Sequence, residues 1–359
     1  MLKVGIYVPY VRNELTLSAV QLADWLLMCG FDVSIMSPVA IQAGVSSYWD
    51  KRVLRASVKS LRKLARDSTH LCWFWPDFKA LRRAKLATPS SQVRKTQHFF
   101  VPTWSGPVDD FSRFAAEVDR VIWVNNDLYL LAKHVHTPGE AILLKSRLCS
   151  LISPHQPLSE RVGFIDQNHL SLLAIFGRNR HWDDLSLSLQ VIGRLLKNRS
   201  NLQVSMLFDN KPCRRARSQV SAMLSQHGES LSCEYSQHYQ AYREAAERHD
   251  LTYLSASDYS TGSVAAMLMP STVLVCQDIP PVSSYVSDKV SGGLLECAIV
   301  ENPTPKAILN FEATFTGLSE LCDSTEAAYC RLQQGSKKLR GKRFNDLRQF
   351  IETEFYNLD

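Results

Sequence analysis

A short polar loop in the second half of the chain has residue types that suit a phosphate group. The loop consists of Ser260, Thr261, Gly262 and Ser263. It follows the apolar segment Leu251–Leu254 and precedes a helical pattern, Val264–Met269. The first amides of a helix lack partners within it, so they can donate to a phosphate, and hydroxyls add further donors. Gly262 lets the backbone approach closely. An ordinary Ser/Thr helix cap is the alternative interpretation.

Two arginines follow another apolar segment, Ser171–Phe176, after a single glycine, Gly177. Arg178 and Arg180 thus stand just beyond the end of a predicted strand, where a guanidinium group can donate two hydrogen bonds to diphosphate oxygens. Such a pair would neutralise the charge of a nucleotide. The alternative is that both arginines lie on the surface and pair with Asp183 or Asp184.

Positive charge is concentrated in the first half of the chain. Residues 1–150 have a net charge of +8, compared with +6 for the whole chain. Six cations recur at three- and four-residue spacings, which predicts a helix with one basic face: Lys51, Arg55, Lys59, Arg62, Lys63 and Arg66. Trp75 and Trp104 could stack on bases or sugars. A polyanion such as DNA fits this pattern, whereas an anionic membrane surface or a merely solvated face are the alternatives.

The elements that would position these residues alternate between strands and helices in both halves. Leu2–Val8, Asp32–Met36, His70–Trp75 and later apolar segments read as strands, with helical patterns between them. Such alternation predicts an α/β fold of two Rossmann-like domains with parallel sheets, facing each other across a cleft. The predicted domains are 1–155 and 169–340, followed by a C-terminal helix, 341–359.

The composition of the chain indicates which class of protein it belongs to. At 359 residues, with 45% hydrophobic and 21% charged residues, the chain is typical of a two-domain globular protein. The chain has no apolar run of bilayer-spanning length and no signal-peptide pattern. Its nine cysteines are scattered without a C-x-x-C pair, which indicates reduced thiols in the cytoplasm. No Asp-x-Asp motif or His/Cys cluster suggests a metal, so none is expected.

The order of these landmarks resembles the nucleotide-sugar domain of GT-B glycosyltransferases, above all the retaining family with a "GR…K" strand end and an "E-x7-E" loop. The resemblance implies a nucleoside-diphosphate sugar, with UDP-sugar favoured, as co-substrate and no essential cofactor. It implies that 1–155 is the acceptor domain, that 169–340 is the nucleotide-sugar domain, and that the helix 341–359 crosses back to the first domain. It also implies that Arg178 neutralises the leaving diphosphate. Arg180 takes the place of the family's lysine.

Three departures separate this chain from the family pattern. The Ala-Met pair of the loop is kept at Ala266-Met267, but the second glutamate falls on Ala265 and the first on Ser257. Asp258, one position away, could replace the first, which faces the transferred sugar in the family. The N-terminal half also lacks the family's glycine-rich loop and its histidine. The resemblance therefore implies a divergent enzyme or a catalytically silent binding module.

The favoured acceptor follows from a second resemblance, in architecture and charge, to bacteriophage enzymes that glucosylate hydroxymethylated pyrimidines in DNA. Such enzymes must reach a base, usually by flipping it from the stack. Tyr10, Arg12 and Asn13, in the loop after the first strand, are candidates to contact the acceptor. Glu14 and Asp127 are candidate bases. A cell-surface polysaccharide or lipid-linked sugar is the alternative acceptor.

Overall fold

The computed structural model divides the chain into two compact units. The first contains Met1–Pro154 and Lys342–Asp359, and the second contains His155–Gly341. The structure describes residues 1–87, 96–102, 108–124, 142, 144–154, 164, 169–176, 182–208, 213–236, 238–255, 262–269, 271–279, 282–302 and 304–356.

The first unit is built on a seven-stranded parallel sheet. Its strands are β1 (Lys3–Tyr7), β2 (Asp32–Ser37), β3 (Leu54–Arg55), β4 (His70–Trp73), β5 (Gln97–Phe100), β6 (Arg120–Trp123) and β7 (Ser146–Leu148). They lie in the order β3-β2-β1-β4-β5-β6-β7. The helices between them are α1 (Glu14–Met28), α2 (Val58–Asp67), α3 (Phe78–Ala87) and α4 (Val108–Glu117). This is the doubly wound order, in which the chain reverses direction across the sheet between β1 and β4.

Local sequence explains where these elements begin and pack. Asn13 caps α1 by accepting a hydrogen bond from the Thr16 amide, and Gly30 turns the chain after α1 with a φ of 85°. Gly5 of β1 allows α2 to approach the sheet, because a Cβ at that position would lie 2.9 Å from Cγ of Leu64. The helix α2 is therefore held tightly against the strand that precedes the reversal.

The second unit repeats this order. Its strands are β8 (Leu170–Phe176), β9 (Leu202–Phe208), β10 (Leu231–Tyr235), β11 (Leu251–Ser255), β12 (Val273–Gln277) and β13 (Gly292–Leu295), followed by an antiparallel hairpin of β14 (Cys297–Asn302) and β15 (Thr304–Leu309). The parallel sheet has the order β10-β9-β8-β11-β12-β13. The helices are α5 (Trp182–Asn198), α6 (Arg214–His227), α7 (Tyr239–Glu247), α8 (Gly262–Leu268) and α9 (Phe311–Cys322). The chain reverses between β8 and β11.

The last helix, α10 (Glu326–Tyr356), begins in the second unit and ends in the first. Near its start the Tyr329 hydroxyl donates to the carbonyl oxygen of Asp250 at 2.8 Å. Near its end Phe355 is fully buried, and its ring packs against Phe31, His70 and Phe99. Each end of α10 is thus anchored in a different hydrophobic core.

The predicted fold class, two Rossmann-like α/β domains with parallel sheets, is confirmed. The predicted basic helix is wrong at its start, because Lys51 lies in a turn and Arg55 lies in β3. The reason is local: Ser57 and Ser60 form a reciprocal capping box that starts α2 at Val58. None of the helices that the structure describes is long and apolar enough to cross a membrane.

Candidate functional site

The candidate donor site lies at the reversal point of the second sheet. Ser255, the last residue of β11, is the register partner of Phe176, the last residue of β8. In open α/β sheets, ligands bind beyond the carboxyl ends of the strands at such a reversal. The segments 177–181 and 256–261 therefore leave the sheet from neighbouring strand ends.

These segments carry most of the predicted donor-binding and catalytic residues. Six of them lie outside the described residues: Gly177, Arg178, Arg180, Asp258, Ser260 and Thr261. Gly262 and Ser263 are the first two residues of α8, although the Ser263 side chain is not described. The structure thus fixes the strand ends and the helix that flank the candidate residues, and their roles stay predictions.

A chain of buried hydrogen bonds supports this edge of the sheet. The Ser255 hydroxyl lies 2.9 Å from Oγ of Ser188 on α5 and donates to the Tyr253 hydroxyl at 3.0 Å. The Tyr253 hydroxyl also accepts from Nε2 of Gln277, at the end of β12, at 2.8 Å. Because all four residues are buried, the network fixes α5, β11 and β12 to one another at the carboxyl ends of these strands.

Sequence reasoning missed this network. The available signal was that Ser255 and Gln277 are polar residues that end otherwise apolar strands, while Ser188 interrupts the apolar face of a helix. The sequence around each of these residues does not indicate which residue is its hydrogen-bond partner. Ser188 and Ser255 are separated by 67 residues in sequence.

A second network fixes the opposite, amino-terminal edge of the same strands. The buried Asp250 carboxylate accepts hydrogen bonds from the amide and the hydroxyl of Ser171, at 2.9 and 2.6 Å. His249 bridges the Ala245 carbonyl and the Ser205 hydroxyl, and burial lowers the pKa of its imidazole. Since ligands bind at the carboxyl edge, we assign these residues a structural role.

The loop after β1 in the first unit does not present Tyr10 as the sequence analysis expects. Tyr10 is completely buried rather than free to contact an acceptor, because its hydroxyl donates to Oδ1 of Asp50 at 2.9 Å and its amide donates to Ser37. Burial, reinforced by Asp50, raises the pKa of the Tyr10 hydroxyl. This corrects the predicted acceptor contact: Tyr10 instead attaches the loop to the segment that follows β2.

The residues that follow Tyr10 differ in burial and in their hydrogen bonds. Arg12 is only 8% exposed, and its amide donates to Oε1 of Gln42 at 3.5 Å. The side-chain oxygen of Asn13 is engaged in capping α1. Glu14 is the first residue of α1, but its side chain is not described, and Asp127 lies outside the described residues. The structure therefore places Arg12, Asn13 and Glu14 beside the reversal point of the first sheet, and their roles stay predictions.

The loop after β4 lies on the other side of that reversal point. Trp75 is 37% exposed, whereas Trp73 in the strand is fully buried. The Tyr7 hydroxyl, at the end of β1, donates to Oδ2 of Asp77 at 2.7 Å, and burial together with this carboxylate raises its pKa. Asp77 also accepts from the Ala80 amide at the start of α3. Trp75 is thus presented from a well-fixed loop; Trp104 lies outside the described residues.

The predicted basic residues of α2 are all exposed. Lys59, Arg62, Lys63 and Arg66 point away from the sheet, and Leu61, Leu64 and Ala65 face it. None of these four cations forms an ion pair with a residue that the structure describes. The predicted basic face exists, although it is shorter than the sequence pattern indicated.

Solved structures with this fold include several glycosyltransferases. A glycosyltransferase from Rickettsia africae ESF-5 is 11% identical with a TM-score of 0.68, over 99% of this chain and 98% of that one. An alpha-glucosyltransferase in complex with UDP and a DNA containing an HMU base is 10% identical, with a TM-score of 0.61 over 98% of both chains.

A third match is a TarM mutant from S. aureus in complex with Fondaparinux, alpha-GlcNAc-glycerol and UDP. It is 9% identical, with a TM-score of 0.65 over 100% of this chain and 99% of that one. A scan against protein-family models and a search of curated proteins found no match. At these identities the likeness establishes the fold, which is the GT-B fold.

Proposed function

We propose that this protein is a glycosyltransferase that uses a nucleoside-diphosphate sugar, with UDP-sugar as the favoured donor. The observation that carries the proposal is the register pairing of Phe176 with Ser255 at the reversal point of the second sheet. The two segments with phosphate-binding residue types leave the sheet at these neighbouring strand ends. The UDP in structures of similar fold supports the same donor class.

In the proposed reaction, an acceptor hydroxyl forms a bond to the anomeric carbon while the bond from that carbon to the diphosphate breaks. Arg178, Arg180 and the amides and hydroxyls of 260–263 stabilise the negative charge that develops on the leaving diphosphate. Asp258 contacts the transferred sugar. The acceptor proton passes to the departing diphosphate or to a carboxylate, for which Glu14 is the candidate. The resemblance to the retaining family supports retention of the anomeric configuration.

The acceptor that we favour is a hydroxymethylated pyrimidine in DNA. Two features of the first unit support it: the exposed Trp75 beside the reversal point of the first sheet, and the exposed cations of α2. The alpha-glucosyltransferase of similar fold is in complex with DNA. The alternative acceptor is a cell-surface polysaccharide or a lipid-linked sugar. The likeness to TarM, which is in complex with Fondaparinux and alpha-GlcNAc-glycerol, supports this alternative. The cytoplasm is the compartment that fits the DNA acceptor.

Mass spectrometry of nucleosides tests donor and acceptor together. The protein is incubated with hydroxymethylated or unmodified DNA and a panel of UDP- and GDP-sugars, and the DNA is then digested. We expect a sugar mass on the hydroxymethylated base only, abolished by Arg178→Ala and kept by Arg215→Ala, which removes an exposed arginine of α6.

Other outcomes of this experiment separate the alternatives. Donor hydrolysis with untouched DNA would refute the DNA acceptor and direct the search to glycans and lipid-linked sugars. Binding of UDP without hydrolysis or transfer of any donor would support a catalytically silent binding module. The loss of both family glutamates, at Ser257 and Ala265, is the feature that favours this last outcome.

A further inference from the structure

Two neighbouring helices of the first unit form a strongly basic surface. The helices α2 and α3 pack side by side, with Leu61, Leu64 and Ala65 of α2 and Ala80, Leu81 and Ala84 of α3 buried. The α2–α3 basic face consists of the exposed Lys59, Arg62, Lys63, Arg66, Lys79 and Arg82. None of the six forms an ion pair within the part of the chain that the structure describes, whereas Lys85 nearby pairs with Glu117.

The spacing of these cations lowers the stability of the two helices that carry them. Lys59 and Lys63, and likewise Arg62 and Arg66, are four residues apart on α2, a spacing at which like charges repel across one helical turn. Neither helix has an acidic residue in its first turn. Lys59 and Lys79 occupy those first turns, where the helix dipole favours anions and opposes cations. Arg66, in the last turn of α2, is placed favourably for the helix dipole, but the repulsion between the other cations would be relieved by a bound polyanion.

The helix directions place this surface beside the proposed acceptor contacts. Both α2 and α3 begin directly after strands of a parallel sheet, β3 and β4. Their amino termini therefore lie at the carboxyl edge of the sheet, where the loops carrying Arg12 and Trp75 also lie. A long anion bound along the two helices could reach that edge.

The distribution of apolar residues argues against insertion into a membrane. A helix that inserts into the bilayer interface needs an apolar face directed at the lipid, but the apolar faces of α2 and α3 are buried against the sheet. Electrostatic attraction to anionic lipids is the membrane alternative that remains, and the vesicle experiment below tests it. The large exposed apolar residues of the two helices are Val58 and Leu86, at opposite ends of the face. From Lys59 to Arg66 the helix rises about 10 Å, at about 1.5 Å per residue. Measured along the axis of a duplex, that length corresponds to about three phosphate charges of one DNA strand, at about 3.4 Å of axis per charge.

We propose that the α2–α3 basic face binds the phosphate backbone of duplex DNA and thereby holds the acceptor strand near the carboxyl edge of the first sheet. The inference rests on the proposed function for its choice of DNA. The bonds are made to phosphates, so this surface contributes affinity and orientation without selecting a base sequence.

Fluorescence anisotropy of a labelled 30-base-pair duplex over a range of salt concentrations tests the proposal. The test variant carries Lys59→Gln, Arg62→Gln, Lys63→Gln and Arg66→Gln. The matched control removes four exposed cations of the second unit: Arg214→Gln, Arg215→Gln, Arg217→Gln and Lys338→Gln. Circular dichroism melting of each variant verifies that it is folded.

We expect the α2 variant to bind the duplex at least about ten-fold more weakly at low salt. The slope of log affinity against log salt should fall in magnitude by roughly one for each phosphate that the variant no longer neutralises, while the control keeps both values. Equal losses of affinity in the two variants would overturn the proposal, because they would show a general charge effect. The parent is the protein without substitutions. If the parent bound phosphatidylserine-containing vesicles more strongly than DNA, and the α2 variant bound the vesicles more weakly, the result would overturn the proposal in favour of a membrane.

The failure of this inference can be distinguished from the failure of the proposed function. UDP titrated into the parent protein reports on the donor site without involving DNA. DNA binding through α2 in a parent that binds no UDP would uphold the inference and refute the glycosyltransferase. UDP binding and donor turnover in a parent without affinity for DNA would refute the inference alone.

Discussion

Phe176 and Ser255 are register partners at the carboxyl ends of β8 and β11, the two strands between which the order of the second sheet reverses. Each is the last strand residue before one of the two segments that carry the predicted donor-binding residues. Segments about 80 positions apart in sequence therefore begin on adjacent strands. The strands that precede the two segments are thus direct neighbours in the sheet.

The buried hydrogen-bond network beneath that site predicts the effect of Tyr253→Phe. Loss of the hydroxyl removes the acceptor of Ser255 and Gln277, so two buried polar side chains each lose a partner. We expect the free energy of unfolding to fall by about 1–3 kcal/mol, measured by urea denaturation.

Tyr48→Phe is the matched control for this substitution. Tyr48 is 46% exposed, and its ring packs against the guanidinium group of Arg52, an interaction that phenylalanine keeps. We expect the control to stay within about 0.5 kcal/mol of the parent. Equal effects of the two substitutions would contradict the importance of the buried network.

Because the imidazole of His70 is buried, we expect the folded protein to lose stability at acidic pH. The imidazole is buried between the rings of Phe99 and Phe355, and burial lowers its pKa from the ordinary 6.5 to about 4. Between these values the unfolded chain binds more protons than the folded one, so the free energy of unfolding falls as the pH falls from 6.5 to 4. The loss from this residue is on the order of 3 kcal/mol. His249, whose pKa is also lowered by burial, acts in the same direction.

Denaturation at pH 7 and pH 4 measures this dependence. His70→Asn should reduce the difference in stability between the two pH values, since asparagine does not titrate. His238→Gln, at an exposed histidine, should leave the difference unchanged. A parent-like pH dependence in His70→Asn would show that other groups control acid stability.

We expect alanine to have opposite effects on the free energy of unfolding at two glycines of α10. A Cβ at Gly335 would lie 1.8 Å from the carbonyl oxygen of Val290, a backbone atom that cannot move without shifting the turn before β13. Nothing lies within 4 Å of a Cβ at Gly341. Gly335→Ala should therefore lower the free energy of unfolding by about 1–3 kcal/mol or more. Gly341→Ala should raise it by about 0.5–1 kcal/mol, through the helix propensity of alanine.

Thermal denaturation of the two variants checks this pair. The comparison is internal, since both positions lie in the same helix and receive the same side chain. If Gly335→Ala proved as stable as Gly341→Ala, the close packing of α10 against the Val290 carbonyl would be wrong.

The fold was predictable because its signals are local. The apolar strands β1, β2, β8, β9, β11 and β12 follow one another with helices between them, and this alternation is enough to predict parallel sheets. The extent of the basic helix was not predictable from charge spacing alone. A pattern that runs through Lys51 and Arg55 is interrupted by β3 and by the Ser57–Ser60 capping box.

The site was predictable only in part, because burial depends on partners that are distant in sequence. Tyr10 stands in a loop that the sequence places at the carboxyl edge, but the residue is buried, and Asp50, 40 residues later, accepts a hydrogen bond from its hydroxyl. The network of Ser188, Ser255, Tyr253 and Gln277 likewise joins two strands and a helix. Side chains of this kind acquire their roles from tertiary contacts, which periodicity does not report.

Calorimetric titration of UDP into the parent, Arg178→Ala and Arg215→Ala tests most directly whether the second unit holds a nucleoside diphosphate at its reversal point. We predict that the parent binds UDP and that Arg178→Ala binds it about ten- to a hundred-fold more weakly, since a charge-assisted hydrogen bond contributes about 1.5–3 kcal/mol. Arg215→Ala should match the parent. Absence of UDP binding in the parent, or equal weakening in both variants, would contradict a donor site at this position.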